Sequence, residues 1–171
     1  MPVKGLTETS SIITIGFDVA ETAANTFTQA RVDLQLNPLD NEVFVVYAVD
    51  LDVGAPDALA GTSTVMNGAL TTTSQTTMPN LSSSSCIARK SLQIRAGGLV
   101  DGGVGFESGS IESPSTQLPY LAIISTNDFF IQVEGSNNTI AHSMSGKLYG
   151  VRARASSATY AALVQSEVLT Q

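Results

Sequence analysis

One histidine, one cysteine and no tryptophan leave this chain short of the side chains from which enzyme and metal sites are usually built. Histidine is the usual general base near neutral pH, so His142 alone excludes a multi-histidine metal centre and weakens every acid–base scheme. Cys86 alone excludes an intrachain disulfide and a Cys/His zinc site. With no tryptophan and only four tyrosines, there is little aromatic surface on which sugar rings can stack. Charge is scarce too: Asp, Glu, Lys and Arg make up 13% of the residues, against ~25% in ordinary globular chains. The eight basic residues are outnumbered by fifteen acidic ones and no basic arm exists, so weak or no direct nucleic-acid binding is expected. No run approaches the roughly 18 apolar residues of a membrane-spanning helix. The segment MPVKGLTETSSIITIGF has no basic stretch followed by a long apolar one, so a soluble chain without a cleaved secretory signal is expected. On that reading the sequons at Asn80 and Asn137 mean little.

What fills the space is serine and threonine, 38 in all, together with apolar–polar alternation. In ARVDLQL, Val32, Leu34 and Leu36 share one strand face while Arg31, Asp33 and Gln35 share the other. After Asn37-Pro38-Leu39-Asp40-Asn41 the chain continues as EVFVVYAVDLDV. There, strict alternation puts Val43, Val45, Tyr47, Val49 and Leu51 on one face, and Phe44, Val46 and Ala48 on the other before it turns acidic at Asp50 and Asp52. A strand apolar on both faces must be covered on both. Eight extended segments are expected, at 10–17, 30–36, 42–53, 62–74, 86–95, 120–125, 128–135 and 139–155, each bounded by Gly, Pro, Asn or Ser. Asn137-Asn138 reads as a hairpin turn pairing the last two strands. Long loops are expected at 54–61, 78–85 and 97–119, with room for a short strand near Phe106 in the last.

One helix is expected, from Ser157 to about Val168, capped by Ser156 or Ser157 and striped by Tyr160, Leu163, Val164 and Val168. That stripe needs a surface, either the outer face of strand 42–53 or a neighbouring subunit. Phe44, Val46, Tyr160, Leu163, Val164 and Val168 are therefore the candidate subunit contacts. The length suits a single β-sandwich domain over 1–171, with an N-terminal arm at 1–9 and the helix and tail at 156–171.

Motifs for chemistry are missing. Gly105-Phe106-Glu107-Ser108-Gly109 is not a nucleophile elbow, and the glycines of 97–105 match no phosphate-binding loop. A Cys86–His142 dyad would join residues of two separate strands, and the plainer reading is that they are unrelated. No catalytic residue, cofactor or resident metal is expected. Asp50, Asp52 and Asp57 are the one candidate set of calcium ligands, set against a solvated strand end. Arg89, Lys90, Arg95, Arg152 and Arg154 can gather into a basic patch, or pair with Asp33, Glu134 or a neighbouring subunit.

The strand series ARVDLQL, EVFVVYAVDL, YLAIIS, FFIQVEG and KLYGVRARA, closed by one helix, resembles the single jelly-roll subunits of icosahedral viral shells. The resemblance spans most of the chain as architecture, and no family motif transfers a functional residue. It implies an all-β, eight-stranded antiparallel jelly-roll-like sandwich in a virion, non-enzymatic, forming a large homo-oligomer beside other virion proteins. The N-terminus departs from the family in holding one lysine instead of a basic arm, which leaves contact with an inner membrane or inner shell, or decoration of the outside. The other class compatible with these features is a receptor- or glycan-binding β-sandwich module, such as a fibre head or adhesin.

Overall fold

Strands with one apolar face pair into sheets that bury it. In the computed structural model, which describes residues 4–98 and 118–169 and the backbone of 106–109, this gives β1 (Leu6–Glu8), β2 (Ile13–Ala20), β3 (Thr28–Asp33), β4 (Glu42–Val53), β5 (Thr64–Thr71), β6 (Cys86–Arg95), β7 (Phe106–Gly109), β8 (Ala122–Ile124), β9 (Asp128–Ser136), β10 (Ser143–Ala155) and α1 (Ser157–Leu169). Every strand pairing described is antiparallel. One sheet runs β10-β4-β8, with β1 and β2 end to end along the far edge of β10; the other runs β3-β9-β5-β6-β7. Setting β1 and β7 aside, β2-β10-β4-β8 faces β3-β9-β5-β6, which is the strand order of a jelly roll. Most of the expected loop 97–119 falls outside the described residues, but β7 lies in it.

The main core lies between the sheets. Phe17 of β2 meets Phe129 of β9 edge-on at 5.8 Å, among Val46, Met66, Leu70, Ile131 and Leu148. A second, smaller core lies on the outside of the β2-β10-β4-β8 sheet, where Leu6, Val43, Val45, Val151 and Ala153 are covered by Tyr160 and Leu163 of α1.

Two sequence readings are corrected. Strict alternation along β4 fails at its centre: Tyr149 of β10 pairs with Ala48 but Gly150 pairs with Val46, so Tyr47 is an extra, bulged residue. The bulge reverses the faces. Phe44 and Val46 point into the main core and are followed there by Val49 and Leu51, whereas Val43, Val45 and Tyr47 point outward and are followed by Ala48, Asp50 and Asp52. Gly150 is required at this crossing, since a Cβ there would run into the Val45 carbonyl oxygen and the Phe44 ring. The second correction concerns Asn137-Asn138. Asn137 does take the left-handed conformation, at φ 60°, but no hairpin results. β9 and β10 belong to opposite sheets, and residues 137–142 carry the chain from one to the other. The expected N-terminal arm contributes β1.

Candidate functional site

Three places gather polar groups or leave room for a ligand. The first is the end of the sandwich where the loops 21–27, 54–63 and 137–142 meet. Glu21, at the end of β2, is buried, and its carboxylate accepts backbone N–H bonds from Thr26 (3.1 Å), Gly135 (2.7 Å) and His142 (3.0 Å). The Asn25 side chain donates to the Asn138 carbonyl and accepts the Asn138 N–H, and the Asn138 side-chain amide donates to the Val65 carbonyl. Asp57 accepts from the N–H and hydroxyl of Thr139, both at 2.7 Å, and lies 3.0 Å from His142 Nε2. Those two Thr139 hydrogen bonds, with smaller help from His142 and the Ile140 N–H against partial desolvation, hold the Asp57 carboxyl down to about 2. The one histidine and its nearest carboxylates therefore tie loops together.

The second place is α1 and its seat. Thr159 N–H donates to the Ser156 side chain at 3.3 Å, which makes Ser156 the N-cap. The helix turns Tyr160, Leu163 and Glu167 inward. Glu167 is its only buried residue, accepting the Ser125 N–H at 2.9 Å and the Thr126 N–H at 3.0 Å from the β8–β9 turn. A cavity of about 280 Å3 separates the helix from Ile87 and Ile123, with Cys86 on its wall.

The third is a furrow of about 540 Å3 on the outer face of the β2-β10-β4-β8 sheet, beyond the edge of the second core. Register places Gly16, Lys147 and Asp50 in one row across the sheet, and Asp18, Ser145 and Asp52 in the next. Tyr149 closes one side; desolvation, and then the neighbouring Asp50 carboxylate, raise its phenol above the ordinary value.

These positions separate most of the residues singled out in the sequence. Asp57 is committed to Thr139 and His142 in a loop, while Asp50 and Asp52 lie exposed on the sheet, so the calcium set is not assembled. No group of three or more potential metal ligands occurs among the described residues. The basic residues disperse as well. Arg152 reaches the Leu34 and Gln35 carbonyls and Glu42, Arg154 pairs with Asp40, and Lys90 caps the Leu51 carbonyl. Arg89 bonds Asn67 and Arg95 bonds Gln93 on the outer side of β6. Asp33, one of the partners expected for these basic residues, is instead held by Arg31. Phe44 and Val46 are 1% and 0% exposed inside this chain's own core, which removes them as subunit contacts. Tyr160 and Leu163 cover the chain's own outer sheet face, while Val168 is 57% exposed.

Glu21, Asn25 and Glu167 escaped the sequence reading. Alternation says nothing of a carboxylate just past a strand end. Glu167 did leave a signal, since it falls seven residues after Tyr160 on the same helix stripe. Comparison with protein-family models, curated proteins and solved structures finds no match to this chain.

Proposed function

We propose that the chain is a non-enzymatic shell subunit, a virion structural protein that closes a large assembly through many repeated contacts between copies and with other virion proteins. The observation that carries this reading is the use made of the acid–base groups at the loop-bearing end of the jelly roll. Loops on a rigid scaffold are where catalytic groups usually stand open, yet Glu21, Asp57 and His142 are turned onto backbone amides and one another. A braced end of this kind suits a part that must keep its shape against neighbours. The surface suits it too, because a coat rich in Ser and Thr, with few Lys and Glu, loses little side-chain entropy when buried. Individually weak contacts then act together through closed symmetry. No helix among the described residues is long and apolar enough to cross a membrane.

Light scattering and negative-stain imaging of the purified full chain test the proposal. Very large regular particles are expected. A monodisperse monomer at high concentration would overturn it, and a small closed ring would turn the reading towards a fibre-head or adhesin module.

A further inference from the structure

We propose that the outer-face furrow binds a neutral saccharide, with one pyranose ring seated over Gly16 and Ser145 beside Tyr149. The inference goes beyond the shell reading and does not rest on it.

The floor is open because the residues there are small. A Cβ added to Gly16 would have nothing within 4 Å, and Ser145 stands between the taller Asp18 and Asp52 of the two flanking strands. The rim carries hydrogen-bonding capacity that the fold leaves unused. Lys147 is exposed, and its ammonium makes no ion pair among the described residues, although Asp50 is its direct cross-strand neighbour. Asp18, Asp50 and Asp52 are all exposed. This contrasts with the loop end, where Glu21 and Asp57 are taken up by backbone amides.

The mixture of signs selects the ligand class. An anion would meet the three carboxylates Asp18, Asp50 and Asp52, and Lys147 on the middle strand already supplies among them the positive charge that a compact cation would bring. A neutral polyol is repelled by neither and uses both, because each hydroxyl donates to a carboxylate and accepts from an ammonium. The half-exposed Tyr149 ring offers a flank for the apolar C–H face of a sugar. The volume of about 540 Å3 lies within the range of small-ligand sites.

Saturation-transfer NMR on the full chain tests this, with methyl glucoside, methyl galactoside and methyl mannoside as neutral probes and spermidine and sialyllactose as charged ones. At least one neutral pyranoside should bind and shift the Tyr149 ring signals. Gly16→Trp, which fills the floor from the solvent side, should abolish binding without lowering the melting temperature. Asp52→Asn should weaken it about tenfold, the loss expected for one charge-assisted hydrogen bond. If Gly16→Trp does not fold, the isosteric double variant Asp18→Asn/Asp52→Asn takes its place and should likewise lose binding. Failure of all three neutral probes, binding unchanged in these variants, or binding of a charged probe alone would overturn the proposal.

Discussion

Replacing Glu21 should be among the most damaging single changes available to this protein outside its apolar cores. The carboxylate is 6% exposed and satisfies three backbone N–H groups belonging to three separate stretches of chain, at Thr26, Gly135 and His142. A hydrogen bond to a charged group contributes about 1.5–3 kcal/mol, and a buried donor left without a partner costs about 1–3 kcal/mol. The three bonds share one carboxylate and are not additive, so Glu21→Ala should cost roughly 3–5 kcal/mol, a large share of the roughly 5–15 kcal/mol typical of a folded domain. For a chain of this length that is a fall of about 6–20 °C in melting temperature. Glu21→Gln refines the test. Its oxygen can keep Thr26 and Gly135, but its NH2 must face the His142 N–H, donor against donor, so an intermediate loss of about 1–3 kcal/mol is expected. Urea unfolding followed by circular dichroism measures all three proteins. An alanine variant within about 0.5 kcal/mol of wild type, or a glutamine variant less stable than the alanine one, would refute the idea that this carboxylate braces the loop end.

Asp57 gives a pH-dependent counterpart. Its folded value lies below the ordinary 3.8, so its contribution is fully present above 3.8 and is lost as pH falls through about 2; Asp57→Asn should flatten the acid limb of the stability curve over that window. Gly150→Ala should cost about 1–3 kcal/mol or more through overpacking, whereas Gly16→Ala should melt within a degree or two of wild type, and equal effects at the two sites would contradict the placement of the β4 bulge. Leu163→Asp should free α1 and leave the sandwich folded but less stable, because only the smaller core loses its cover. Hydrogen exchange should then show lost protection along 157–169 and at the Ser125 and Thr126 N–H groups; protection unchanged there would refute the docking of Glu167.

The elements that read most cleanly in the sequence are those whose pattern carries its own boundaries. β4 and β6 begin and end where Asn, Gly and Ser clusters predicted, and α1 starts one residue after a serine that caps it. The bulge was hidden because Tyr47 and Ala48 are both acceptable on either face, so the alternation looks unbroken while its meaning reverses. The misread Asn137 turn has a similar cause. A left-handed asparagine marks a reversal of the chain, but whether the next strand joins the same sheet depends on partners far away in sequence. The furrow was invisible for that reason: Gly16, Asp50 and Lys147 lie on three strands, and only register brings them into one row. Its single tyrosine also gave no hint in a composition poor in aromatics.

The braced loop end also has a history written into its sequence separations. Glu21 meets the His142 N–H across 121 residues, and Asp57 meets the Thr139 N–H across 82. Loop closure over such distances has to be met before any of these bonds forms, so none of them can guide early folding. The ties close only once residues 137–142 have crossed from one sheet to the other, near the completion of the sandwich. Until that moment Glu21 has only its local partner, the Thr26 N–H five residues on, and its ties to Gly135 and His142 stay unmade. A chain still emerging in synthesis would therefore hold that end open until residues 137–142 are in place, and the rigidity of the loop end would arrive late in folding.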